Sequence, residues 1–219
     1  MPAVPSVEVA RSAGLSPIDG PVLALDSSAG VGSVAVGDGD RLLGEAVLNV
    51  GPGASSALLP AIDAVLRTAG LAPADLRGVV VAGGPGSFTG LRIAAATAKG
   101  LVAALGVPMF AYSGLLAAAA GHWGAGRPVC ALFDARRRDV YLACYRFPTS
   151  PPGEGGAPED ALEEMVAPTA MTVDEVVARF RGQVPPLFTG EAAAIHGAEL
   201  ARELGAPVVP ALLAAPRAS

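Results

Sequence analysis

The 219-residue chain has little of what metal and covalent chemistry needs: two cysteines, Cys130 and Cys144, two histidines, His122 and His196, and a single lysine, Lys99. The cysteines are too few and too widely spaced for a disulfide scaffold or a CxxC clip, and they read as small core hydrophobes. With the histidines far apart, a zinc site of the usual His and Cys kind is hard to assemble. Charge is also scarce. Only 16% of residues are charged and the formal net charge is −5, with a pI near 5.0. Such a chain lacks the basic footprint of an independent nucleic-acid binder, so any positive charge for RNA would come from a partner. The first residues, MPAVPSVEVARSAGLSPIDG, have neither a basic start nor an apolar core of the kind that marks a secretory signal. Although 52% of residues are hydrophobic, much of that is alanine, and Gly, Pro, Arg or Asp breaks every run before the roughly 18 apolar residues of a spanning helix. The expected location is cytoplasmic, with no membrane contact.

What the chain does have is short apolar runs punctuated by glycine. Residues 1–20 show no sustained periodicity and are expected to be a loose extension. VLALDSS, VGSVAVG and RLLGEAVLNV follow, separated by Ala29-Gly30 and by the turn Asp38-Gly39-Asp40, the pattern of an antiparallel three-stranded meander. Beyond Gly51-Pro52-Gly53, Ser55 or Ser56 is placed to cap a helix running to about Ala69. Its apolar stripe is Leu58, Ile62, Val65 and Ala69, widened by Leu59 and Leu66. Then come the strand VVVA (79–82), a glycine-rich turn, a long helix to Leu105 and a short strand after Pro108.

From about Arg127 the grammar repeats. PVCALFDARRRDVYLACYRF is an apolar strand ending in Asp134, a polar turn and a second strand from Val140 to Phe147, just as the first run ends in Asp26. A duplicated half-domain follows, giving an N-terminal domain over 21–122 and a C-terminal domain over 127–219. PTSPPGEGGAP (148–158) has the composition of a flexible loop. After it, a strand near Leu162 to Val166, a helix from Thr172 to Arg181 capped by Thr172, the strand LFTG and a helix from Ala192 to Leu204 are expected.

The stretch GGPGSFTGLRIAAATAKGLVAAL (83–105) invites a phosphate-loop reading that its spacing does not support. Gly90 is followed by Leu91, where G-x-x-x-x-G-K-[ST] needs lysine. Thr89 stands where the dinucleotide pattern needs glycine. Ser87 has Pro85 and Thr89 at i−2 and i+2, so it is no nucleophile elbow. Anion binding by backbone amides near Ser87 remains as one alternative. The other is structural: Leu91, Ala94, Ala98, Leu101 and Leu105 form a coiled-coil-like seam, while Ile93, Thr97, Gly100 and Ala104 form a second smooth stripe. A helix apolar on two faces needs a deep core or a partner. Asp26 and Asp134 either cap the turns that follow them or face a nucleotide cleft and hold a metal-bound water. Arg136-Arg137-Arg138 is the one basic cluster, either a solvated hairpin turn or a phosphate contact.

LALDSSAGVGSVAV, SSALLPAIDAVL, GGPGSFTGLRIAAATAKGLV and ALFDARRRDVYLACY resemble the TsaB (YeaZ) family, subunits of the machinery that makes threonylcarbamoyladenosine in tRNA. The likeness runs from Val22 to Tyr145 and weakens beyond. It implies an α/β, actin-like or Hsp70-like (ASKHA) fold of two ribonuclease-H-like halves with mixed sheets. It also implies a non-catalytic scaffold that binds a TsaD-like catalytic subunit through its first two helices, recruits a TsaE-like ATPase and meets tRNA through the complex. Carried onto this chain, the partner-binding positions are Leu58, Leu59, Ile62, Leu66, Ser87, Phe88, Thr89, Gly90, Arg92, Ile93, Thr97 and Gly100. Asp26, Ser27 and Ser28 are the positions for a cofactor, ATP or ADP acting through the complex. No residue is assigned to catalysis or to a metal. The same helices also allow a homodimer when the chain is alone, and the alternative activity is a stand-alone actin-fold ATP-binding phosphotransferase or ATPase. Two departures stand out. Ala54 precedes Ser55 where relatives often carry histidine, and the C-terminal lobe is expected to be short.

Overall fold

The apolar runs pair into two sheets in the computed structural model, which describes residues 18–49, 54–148 and 162–210. Most of the N-terminal extension, Gly51-Pro52-Gly53, nearly all of the loop at 148–158 and the tail from Ala211 lie outside the described residues. The first sheet contains β1 (Val22–Asp26), β2 (Val31–Asp38), β3 (Arg41–Asn49), β4 (Gly78–Ala82) and β5 (Met109–Tyr112), in the order β3-β2-β1-β4-β5. β1 pairs antiparallel with β2 and parallel with β4, and β4 pairs parallel with β5. The expected meander is therefore one half of a mixed sheet. Parallel pairing requires crossovers, and these are α1 (Ala54–Thr68) and α2 (Phe88–Leu105).

Both helices bury their apolar stripes with the strands' inward alternates Leu23, Leu25, Val34, Val36, Val79 and Val81 in one core. The expected seam of α2 faces this core: Ala94 and Ala98 are fully buried and Leu101 and Leu105 pack at its edge. By length and composition α2 passes as a membrane span, yet Arg92 and Lys99 interrupt it, and one side of it, with Ala94 and Ala98, lies in the core of this half. Ser87 caps it, its Oγ accepting from the Gly90 N–H, and Gly106 ends it in the left-handed conformation. α1 begins at Ala54, so Ser55 and Ser56 lie inside its first turn and neither is the residue before it.

The second half holds β6 (Val129–Arg136), β7 (Asp139–Arg146), β8 (Glu163–Thr172) and β9 (Leu187–Thr189), in the order β8-β7-β6-β9. β8 extends well past the expected strand near Leu162 to Val166, because Met171 and Thr172 still pair with β7. A parallel bridge from Phe188 to Val208 supplies a rudimentary fifth position, so the strand order of the first half is repeated in outline. α4 (Val173–Phe180) and α5 (Glu191–Leu204) share a core with the inward side of this sheet. Thr172 and Glu175 form a reciprocal capping box at α4, the cap expected from the sequence. The helix α3 (Gly114–Ala120) was not expected. Its Leu115, Ala118 and Ala119 cluster with Val129, Ala131, Phe133, Ala143 and Tyr145 on the other side of the second sheet. The division between the two units accordingly falls between Gly114 and Leu115, ahead of the boundary expected near 122.

One contact fixes the geometry of the first half. The N-terminus of α2 lies directly on the turn after β1: the Ser27 hydroxyl donates to the Gly90 carbonyl at 2.8 Å, and the Ser87 N–H donates to the Ser28 carbonyl at 2.6 Å. A Cβ on Gly90 would overlap the Ser27 carbonyl oxygen, and one on Gly86 would overlap that of Ser28. The second half repeats the device, with Gly190 at the entry to α5 against the Leu132 carbonyl. We expect Gly90→Ala to destabilise the protein by at least about 1–3 kcal/mol, the usual cost of overpacking, as read by denaturant unfolding. A midpoint equal to wild type would show that this approach is not tight.

Candidate functional site

The C-terminal end of β1 gathers the residues expected to meet a cofactor. Asp26, Ser27 and Ser28 are all buried. Asp26 Oδ1 accepts from the Ser28 N–H at 2.8 Å and from the Ser28 hydroxyl at 2.7 Å, and Oδ2 accepts from the Tyr112 hydroxyl at 3.3 Å. This is the turn-capping arrangement, and the glycine-rich stretch closes over it. Two of the amides that an anion would need at the α2 entry are already engaged, Ser87 N–H by Ser28 and Gly90 N–H by Ser87 Oγ. The three residues therefore present no open surface to a nucleotide. Asp134, the equivalent aspartate of the second half, is exposed and accepts from the Arg136 N–H at 2.9 Å.

Tyr112 had no signal of its own in the sequence. It ends β5, and the register β1-β4-β5 brings strand ends 86 residues apart together. Burial pushes the Asp26 carboxyl above its ordinary value, against the opposing pull of the Ser28 hydroxyl and amide and of Tyr112. Burial and the neighbouring Asp26 charge push the Tyr112 hydroxyl up too, so it stays a donor.

The second group of residues belongs to α1 and α2, which touch each other on one side of the first sheet. The structure corrects three of the assigned docking positions: Leu58, Ile62 and Leu66 are 1%, 4% and 2% exposed and belong to the core. Their side chains pack α1 onto the sheet because they lie on the stripe that faces it. Gly90 is likewise buried, and its role is the close approach to Ser27. Leu59 and Phe88 are the opposite case, 57% and 72% exposed. The Arg92 guanidinium stands over the Phe88 ring at 5.2 Å. Thr89, Arg92 and Gly100 are exposed, and Ile93 and Thr97 are half-buried. A Cβ on Gly100 would meet nothing within 4 Å. A mid-helix glycine costs roughly 0.5–1 kcal/mol relative to alanine, and no packing inside the described chain requires this one.

A third feature is the hairpin between β6 and β7. Arg136, Arg137 and Arg138 have φ of 71°, 56° and 66°, a left-handed conformation that costs a non-glycine residue roughly 1–2 kcal/mol. Arg138 is tied to Glu199 at 2.9 Å and to Asp174 at 3.4 Å.

TsaB of Bacillus subtilis, a tRNA threonylcarbamoyladenosine biosynthesis protein, is 31% identical over 177 residues, covering 80% of this chain and 72% of that protein. The chain belongs to the TsaB (YeaZ) family. YeaZ from Pseudomonas aeruginosa superposes with a TM-score of 0.70 at 25% identity, covering 91% of this chain and 87% of that one. A family model described as "TsaD: tRNA N6-adenosine threonylcarbamoyltransferase" matches residues 53–174. An activator of 2-hydroxyisocaproyl-CoA dehydratase from Clostridium difficile, at 12% identity and a TM-score of 0.52 over 89% of this chain and 91% of that one, shares the fold alone. The architecture of this TsaB-family chain is the expected actin-like, ASKHA one, α/β with two mixed sheets.

The buried carboxyl of Asp26 makes stability pH-dependent. Its folded-state value lies above the unfolded value of 3.8, so the folded state binds the proton more tightly. Stability is then greatest at low pH and falls as pH rises through the raised value. Asp26→Asn carries no charge at any pH, so the melting temperature of the variant relative to wild type should climb as pH rises from about 4 to 7. Parallel melting curves across that range would show that the Asp26 carboxyl is not raised in the folded protein.

Proposed function

We propose that this chain is the non-catalytic activator of a TsaD-like transferase, working in the cytoplasm where a threonylcarbamoyl group is moved onto the adenosine next to the tRNA anticodon. It docks through the outer sides of α1 and α2. The carrying observations are Leu59 of α1 and Phe88 of α2, two large apolar side chains in solvent, the second with Arg92 over its ring, and Gly100, a glycine in the middle of α2 with open space above it. Exposed apolar anchors beside small residues suit a helix-on-helix interface in which backbones come close. The match of a TsaD family model to residues 53–174, which include both helices, adds support. Two related chains that present the same helices can pair about a pseudo-two-fold axis, as isologous interfaces do. A TsaE-like ATPase and tRNA would join the pair, with ATP or ADP handled by the complex. The buried state of Asp26, Ser27 and Ser28 counts against the stand-alone ATPase reading.

Co-purification with a TsaD-like protein tests the docking surface. Leu59→Asp and Phe88→Asp should each weaken the pair at least tenfold, about 1.4 kcal/mol or more, without lowering the melting temperature of the isolated chain. Gly100→Ala should stabilise the isolated chain by roughly 0.5–1 kcal/mol, and Gly100→Leu should weaken pairing. Intact pairing in Leu59→Asp and Phe88→Asp together would reject this surface. Sedimentation of the chain with and without the TsaD-like protein separates the hetero-pair from a homodimer, and tight ATP binding by the isolated chain, lost in Asp26→Asn, would favour the ATPase instead.

A further inference from the structure

The β6–β7 hairpin is built from residues that disfavour its shape. Arg136 pairs with Asp139, leaving Arg137 and Arg138 as a two-residue turn with both at positive φ, where hairpins ordinarily carry Asn and Gly. Arg136 adopts positive φ as well. For Arg138 the fold supplies a reason, since its guanidinium anchors the turn to Glu199 and Asp174. For Arg136 and Arg137 it supplies none: both are exposed, and among the described residues neither side chain makes an ion pair. Strained backbone outside the core, retained where glycine would relieve it, points to function.

We infer that Arg136 and Arg137 at this hairpin tip contact the phosphodiester backbone of RNA, an inference that rests on the reading of the chain as part of a tRNA-modifying complex. The chemistry of the tip favours RNA over a protein partner. No large apolar side chain from the hairpin is exposed beside the two arginines, whereas protein interfaces close around apolar anchors and exclude charge from their centre. Phosphate contacts need only guanidiniums projecting from a rigid element, and they position the nucleic acid without reading its bases. The formal net charge of −5 makes this contact local, an auxiliary to the main RNA-binding surface and not a substitute for it.

The test uses the full chain, alone and paired with its TsaD-like subunit, and an unmodified tRNA transcript carrying the acceptor adenosine. Binding is followed by fluorescence anisotropy across a salt series. The double variant Arg136→Gly, Arg137→Gly should melt at or above the wild-type temperature, because glycine accepts the left-handed backbone. Its affinity for the transcript should fall roughly 5- to 30-fold at low salt, and the slope of log affinity against log salt should become shallower by about two, one for each lost phosphate contact. Arg136→Lys, Arg137→Lys should keep most of the slope. Unchanged affinity and slope in the glycine variant would overturn the inference, as would failure of both wild-type forms to bind the transcript. Loss of pairing with RNA binding intact would assign the tip to an acidic protein surface and overturn it too. If the pair does not form at all, the docking reading fails separately, and the same comparison on the isolated chain still decides the hairpin.

Discussion

The first half of the molecule depends on the close approach of the α2 N-terminus to the turn after β1. Gly90 has no side chain because the Ser27 carbonyl occupies the space where one would stand. The Ser27 hydroxyl and the Ser87 amide then join the two segments by hydrogen bonds. That contact sets where α2 crosses the sheet, which of its stripes faces the core and which is left outside. The same glycines that resemble a phosphate loop in the sequence are there to let one piece of backbone rest on another.

The closure also accounts for the character of the β1 end. In an actin-like fold this position lies where strand ends and a helix entry meet, an arrangement that elsewhere can hold an anion. Here the carboxyl of Asp26 is surrounded by Ser28 and Tyr112 and sealed under the glycine stretch. Its donors favour the charged form, and burial, which disfavours it, outweighs them. A desolvated, self-satisfied carboxyl suits a structural pin better than a catalytic group. With the end of β1 sealed, the outer sides of α1 and α2 and the strained arginine hairpin are surfaces whose residues the fold does not itself account for.

Much of the architecture was legible because its causes are local. Apolar runs marked the strands of both halves, the glycine-rich turn marked the entry to α2 and Thr172 the start of α4, and the repeated strand-aspartate-turn-strand pattern disclosed the duplication that the two sheets display. α3 was invisible because Gly114-Leu115-Leu116 followed by four alanines offers no contrast of polarity from which to read a period. The candidate site was legible only in outline. Leu58 and Leu59 are neighbours of the same type, yet one is in the core and the other in solvent.

By itself the sequence determined the family, the two-fold repetition, the absence of a phosphate-loop spacing and the presence of two helices with more apolar surface than one sheet requires. Those properties follow from residue type and from spacing within a few turns of chain. Tertiary structure decided which side of each helix is free, that Asp26 and Tyr112 share a proton-bearing contact across 86 residues, and that three successive arginines adopt a left-handed turn. The first two depend on segments far apart in the chain being brought to one place, and the third on Arg138 reaching the distant Asp174 and Glu199; no local pattern encodes those distances.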